Sequence, residues 1–276
     1  MIVTNNYLIN DNILTDKKHS AFAYEKMMEG NCSYVITDPK GKLYQSTVKI
    51  LLEKGYLIKV LNFLDPDHST VFYNPFCYIK EEADVFKLVS QVMKNTNPSS
   101  NQYSIDPFFE KTETALLEAV FYYLWLERPI EQQNFKSVMD LLKLADTSED
   151  DESREIRLDV MFRQLGEEKG EDYLPVKKYN HYRKASGKTA KAILISAIVR
   201  LFYFNIKNIA KLTMTDTLHL DEMEDRKTAL YIITPDKDTS CDFIISLLYS
   251  QLPHNPCFVS DFVIKVSKLG NKHFED

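Results

Sequence analysis

Glycine is scarce in this chain: only seven occur in 276 residues, and none precedes Gly30. The shortage bears on nucleotide binding. A phosphate-cradling loop needs Gly-x-x-x-x-Gly-Lys-Ser/Thr between a buried strand and a helix, because the glycines let backbone amides close around the phosphates while the lysine reaches the terminal ones. Gly187-Lys188-Thr189 supplies the last three letters, but Tyr182 stands where the first glycine belongs. The preceding VKKYNHYRK has no β-branched run from which a buried strand could form. The triplet therefore predicts a helix, or two helices pinched at Gly187, and not a phosphate loop.

Long apolar runs are missing too. Stretches such as AVFYYLWL fall well short of the roughly 20 residues that a spanning helix needs, and MIVTNNYLINDN has neither the basic leader nor the apolar core of a secretion signal. Four cysteines, Cys32, Cys77, Cys241 and Cys257, stand far apart with no paired spacing, which predicts reduced, mostly buried thiols in a cytoplasmic protein. The six histidines are equally scattered, so no metal site is expected. No catalytic Ser/His/Asp, Cys/His or paired-carboxylate arrangement can be assembled, and no catalytic residue is assigned. A net charge of −6 argues against nucleic-acid binding by the whole molecule and leaves room for a local basic patch.

What is present is 44% hydrophobic residues, ample for a core. CSYVIT reads as a short buried strand ending at Asp38; DPKGK is a turn broken by Pro39 and Gly41; LYQSTVKILLEKG is an amphipathic helix stopped by Gly55; and YLIKVLNF is a second strand. Strand, helix, strand implies a parallel sheet, with Asp38 at the carboxyl end where such sheets hold ligands. From about residue 81 to 220 the pattern is helical, strongest in DPFFEKTETALLEAVFYYLWLE, with Asp106 as N-cap and Pro107 in the first turn. The acidic TSEDDESRE reads as a solvated linker. Strand character returns in KTALYIITP, followed by the helix TSCDFIISLLYSQL. The expected fold is α/β: residues 1–80 and 221–276 form two parts of one sheet domain, the second incomplete, around an all-α insertion at 81–220.

Seven collinear blocks carry a family resemblance: SYVITDPKGKLY, YNPFCYI, DPFFEKTETALLEAVFYYL, NFKSVMDLL, GKTAKAILISAIVRL, TDTLHLDEMEDRKTALYIITPDKDTS and FIISLLYSQL. Together, from about Asn31 to Leu252, they resemble the TraG/TraD-like coupling proteins of type IV secretion and conjugation. The resemblance implies a RecA-like, hexameric motor at the cytoplasmic face of the inner membrane, using ATP and magnesium to pass DNA and proteins to a secretion channel. It also implies that the helical insertion is the all-α domain associated with DNA and relaxosome proteins. The family's phosphate loop should lie just before SYVIT, yet in residues 7–30 Lys17 or Lys18 would have to imitate the motif lysine, and no glycine precedes Gly30. The family's Asp-Glu strand should follow TALYIITP, yet Asp261 in FVSDFVIKV is followed by phenylalanine. The chain thus reads as a truncated homologue without cofactor of its own and without ATP hydrolysis of its own, linking a DNA–protein substrate to the channel. The alternatives are an ATPase subunit completed by another chain, including full-length subunits of a ring, a non-catalytic helical interaction module, or a gene remnant.

Candidate site residues fall into two groups. Asp38 and Lys40 at the strand's carboxyl end, with Arg200 as the sole charge in AILISAIVRLFYF, are candidates for nucleotide contacts; the turn and an intramolecular ion pair are the respective alternatives. Lys177, His181, Lys184, Lys188 and Lys191 would share one stripe on a continuous helix, with Tyr179 and Tyr182 beside it. Such a stripe can follow the phosphates of single-stranded DNA while the tyrosines stack on bases, or it can be a solvated or partner-binding face.

Overall fold

The chain divides into two units, one of residues 1–73 and 216–276 and the other of residues 74–215. The sequence had placed the joints at 80/81 and 220/221. The computed structural model describes residues 24, 27–30, 32–96, 106–145, 156–185, 187–235 and 241–252, and the backbone of 257–260. Lys17, Lys18, most of the expected phosphate-loop segment, the linker TSEDDESRE and Asp261 lie outside the described residues.

The first unit is built on four parallel strands in the order β2-β3-β1-β4: β1 (Tyr34–Pro39), β2 (Leu57–Asn62), β3 (Thr228–Thr234) and β4 (Cys257–Ser260). The strand that follows the helical unit inserts between the two that precede it, so β1 and β2 are not neighbours. β1 and β3 are interior and buried along almost their whole length, as expected for strands covered on both faces. Helix α1 (Lys42–Glu53) joins β1 to β2. It packs on the face that carries Tyr34, Ile36, Ala229 and Tyr231, where the Thr47 hydroxyl meets the Tyr231 hydroxyl at 2.6 Å. Helix α9 (Asp242–Gln251) follows β3 on the other face, where its Tyr249 hydroxyl lies 2.5 Å from that of Thr37. The β2 edge is closed by its own return segment: Ser69 Oγ and Thr70 Oγ1 accept from the amides of Asn62 and Val60, and Thr70 and Val71 amides donate to the Val60 carbonyl. Polar side chains thus take the places of a further strand.

The second unit surrounds one helix. Helices α2 (Glu82–Asn95), α4 (Phe135–Lys143), α6 (Leu174–Tyr182) and α7 (Gly187–Arg200) all pack on α3 (Pro107–Glu127), with α5 (Arg157–Lys169) against α6 and α8 (Lys207–Thr213) against α4. α3 starts where expected, with the Asp106 carboxylate accepting from the Phe108 amide. It buries residues on every side, which is the behaviour of a central helix. Phe76, Phe121, Phe135 and Phe204 form a continuous aromatic stack, the last two rings 3.7 Å apart. That stack ties the YNPFCYI turn to the helices, which is why the unit begins at residue 74.

Among the described residues no helix is long and apolar enough to cross a membrane. Cys77 is exposed and Cys241 buried, both as thiols. Cys32 is disulfide-bonded, against the expectation of reduced thiols throughout.

Candidate functional site

β1 and β3 lie side by side, but the connection after β1 leads to one face of the sheet and the connection after β3 to the other. Their carboxyl ends therefore flank a topological switch point, the place where open α/β sheets bind ligands. Asp38 stands there, and its chemistry is already committed. Its carboxylate accepts from the Leu43 amide at 3.1 Å and the Tyr44 amide at 2.7 Å, capping α1. Burial pushes its pKa up, and the bonds from Tyr44, Leu43 and Lys42 amides act in the opposite direction. An acid that occupies the amides of a helix N-terminus leaves them unable to hold a phosphate. Lys40 and Gly41 both adopt left-handed backbone, with φ of 72° and 73°. A β-carbon on Gly41 would make only ordinary contact with the Ile233 side chain at 3.5 Å, so it is the left-handed backbone of the turn that favours glycine here. Asp38 and Lys40 thus stand at the expected place, as parts of the turn. The described residues do not fit a nucleotide triphosphate there.

Arg200 lies in the helical unit, where its Nε and Nη2 donate to the two carboxylate oxygens of Glu113 at 2.8 and 3.2 Å. Its Nη1 donates to the Met93 carbonyl and to Thr96 Oγ1. The two side chains are only 7% and 3% exposed. A nucleotide contact by Arg200 is therefore corrected to the intramolecular ion pair, since every guanidinium nitrogen has a partner within its own unit. A second buried acid of α3, Glu118, pairs with Lys178 at 2.6 Å.

The predicted basic stripe is broken. α6 ends at Tyr182 and α7 begins at Gly187, whose φ of 51° turns the chain between them. Lys177 and His181 sit on one helix and Lys188 and Lys191 on the next, with Lys184 in the connection; all five are exposed. Lys177 faces Asp172 at 3.9 Å. Tyr179 and Tyr182 are buried: the Tyr179 ring stacks on Phe162 at 4.1 Å, and its hydroxyl donates to Asp159. The Tyr182 hydroxyl donates to the Ala190 carbonyl, fastening the two helices together. Base stacking by these tyrosines is thus corrected to core packing, because neither ring face is open.

What the sequence did not disclose is the outer face of α7. Ala190, Ile193, Leu194 and Ala197 are buried, while Lys188, Lys191, Ile195 and Val199 are exposed, continuing into Phe202 and Tyr203. AILISAIVRLFYF is apolar on all sides, so its periodicity could not say which side faces water. A different signal was available: between Tyr173 and Thr215 the chain has nine of its 34 Lys and Arg and none of its 40 Asp and Glu.

A doubly wound parallel sheet with an all-helical insertion between its second and third strands is a partial RecA-like α/β domain. The chain belongs to the type IV secretory system conjugative DNA transfer family, whose model matches residues 18–255. It is similar in fold to the plasmid coupling protein TrwB solved with ADP and Mg2+, at 16% identity over 85% of this chain and 49% of that one, with a TM-score of 0.56. It is also similar to TrwB with the ATP analogue ADPNP, at 18% identity over 85% and 49%, TM-score 0.55. The sulphate-bound trigonal form of TrwBdeltaN70 matches at 17% over 86% and 51%, TM-score 0.53. The chain spans about half the length of these structures. No curated protein sequence matches it.

Proposed function

We propose that this protein serves conjugative DNA transfer as a coupling-protein homologue that links a DNA–protein substrate to the secretion channel, without hydrolysing ATP on its own. It would work at the cytoplasmic face of the membrane, beside type IV secretion components and in contact with relaxosome proteins, DNA or full-length subunits of a hexameric ring. The observation that carries this reading is the family match running through both units, combined with a switch-point edge whose acid caps a helix and whose glycine takes the left-handed backbone of a turn. The sequence has no Gly-x-x-x-x-Gly-Lys-Ser/Thr to supply the missing cradle.

Titration calorimetry of the chain with ATP and Mg2+ should show no heat of binding, and micromolar binding would overturn the non-catalytic reading. Deleting the gene in a donor cell should lower the frequency of DNA transfer, and unchanged transfer would remove the coupling role. A second reading, an ATPase site completed by another chain, draws on the place of the β1 and β3 carboxyl ends at the switch point. It predicts that adding this chain to a full-length coupling protein raises ATP turnover, with Asp38 and Lys40 variants losing that gain. The candidate DNA contacts Lys184, Lys188 and Lys191 predict that their joint replacement by alanine weakens single-strand binding and flattens its salt dependence.

A further inference from the structure

α7 turns a side to solvent that is half basic and half apolar. Lys188 and Lys191 occupy its first turns, Ile195 and Val199 its last ones, and Phe202 and Tyr203 extend the apolar half. On a helix, positions 188, 191, 195 and 199 fall within about 100° of arc, so they form one stripe. Ile195 is 52% exposed, Val199 65% and Phe202 59%, whereas Ala197 and Leu201 between them are buried. Solvent exposure of contiguous aliphatic and aromatic groups marks a contact surface.

We propose that this stripe docks an acidic amphipathic helix of a partner protein, whose carboxylates meet the lysines and whose aliphatic side chains cover Ile195, Val199 and Phe202. The proposal rests on the reading of the helical unit as the part that contacts partners. Charge selects the occupant. The neighbouring cations Lys178, Arg183 and Arg200 are each matched by an acid, Glu118, Asp159 and Glu113. No described acid pairs with Lys188 or Lys191, and the chain from Tyr173 to Thr215 contains none. Both lysines also lie in the first turns of α7, where the helix dipole disfavours cations, so an incoming carboxylate gains from lysines and backbone alike. The aliphatic half decides between protein and nucleic acid. Ile195 and Val199 separate the lysines from the exposed rings of Phe202 and Tyr203 and offer a DNA backbone nothing, and Tyr179 and Tyr182, the tyrosines nearest the lysines in sequence, are buried.

The test uses the full chain and three fluorescein-labelled probes followed by anisotropy. One is an 18-residue helical peptide with two turns of glutamate followed by two turns of leucine on a single face. The second has the same composition with glutamates and leucines on opposite faces, and the third is a 20-nucleotide oligo-dT. The first peptide should bind with a Kd of roughly tens of micromolar. The second should bind at least tenfold more weakly. Ile195→Ser with Val199→Ser, and separately Lys188→Glu with Lys191→Glu, should each weaken the first peptide at least tenfold while circular dichroism stays unchanged. Peptide binding indifferent to the apolar pair, binding of oligo-dT alone, or no binding of any probe each overturns the proposal. Loss of DNA transfer on gene deletion together with any of those results would sink the docking site and leave the coupling role standing.

Discussion

Replacing Glu113 by glutamine tests whether Arg200 is a structural cation. The guanidinium makes a two-pronged contact with Glu113 and two further bonds, to Met93 and Thr96. Because the pair is almost wholly out of water, screening is slight. Two unit charges about 4 Å apart at an effective dielectric of about 20 attract by about 4 kcal/mol, and breaking one partner of a buried pair costs about 3–5 kcal/mol. Glu113→Gln keeps the volume and leaves the arginine buried without its countercharge, so it should cost this amount. With a urea slope of about 2 kcal/mol/M, the midpoint should fall by about 2 M. The assay is intrinsic fluorescence, since Trp125, the single tryptophan, stands on α3 in the same unit. The double variant Glu113→Leu, Arg200→Met removes both charges and should recover most of the loss, because apolar pairs of similar volume often replace buried ion pairs at little cost. A midpoint shift below about 0.3 M for Glu113→Gln, or a double variant as unstable as the single, would refute the account.

Asp38→Ala should cost about 1–2 kcal/mol through loss of the α1 cap, read as a fall in thermal midpoint. Because burial raises the Asp38 pKa above its unfolded value, its contribution is fully present below the ordinary carboxylate pKa and is lost as pH rises through the raised one. Asp38→Asn should remove that part of the pH slope in stability, and an unchanged slope would count against it. At alkaline pH, burial holds the Tyr231 and Tyr249 pKa values up at about 12. Stability should therefore be full below pH 10 and decline as pH rises towards 12, with absorbance at 295 nm showing a late ionisation step that Tyr249→Phe reduces. Gly41→Ala should cost about 1–2 kcal/mol because of its left-handed backbone, measured by urea unfolding.

Much of the fold was legible because its signals are local. Pro39 and Gly41 mark the turn after β1, Gly55 ends α1, and Asp106-Pro107 starts α3, each through backbone chemistry that neighbours cannot reassign. Sheet order was not legible. A strand, helix, strand sequence places β1 and β2 in one sheet, but nothing in those residues says that β3 enters between them, since that register depends on segments nearly two hundred residues apart. The site residues divided along the same line. The position of Asp38 at a strand's carboxyl end could be read from sequence; the helix amides that claim its carboxylate could not. The basic stripe failed at a single glycine: Gly187 is compatible with a helix by composition and breaks it by its φ angle. Tyr179 and Tyr182 looked available because polar neighbours surround them in sequence, whereas Phe162 and Ala190 surround them in space.

The way the chain leaves and re-enters the sheet unit predicts how separable its two parts are. The Phe72 carbonyl accepts from the amides of both Thr217 and Leu218, and the Phe72 amide donates to Thr217 Oγ1. The two ends of the helical insertion are therefore held together by the sheet unit itself, at its own joint. An insertion whose ends are already adjacent adds little closure entropy whatever its length, because that cost grows only with the logarithm of loop length. The β1–β3 pairing, the α1 cap and the closed β2 edge all use residues of the sheet unit alone. Residues 74–215 expressed alone should accordingly fold, with the Arg200–Glu113 pair and the aromatic stack intact. Their urea midpoint by Trp125 fluorescence should lie within about 0.5 M of the whole chain's. A helical unit that is unfolded by itself would mean that its stability derives from the sheet unit. The independence inferred from the joint at Phe72 would then be wrong.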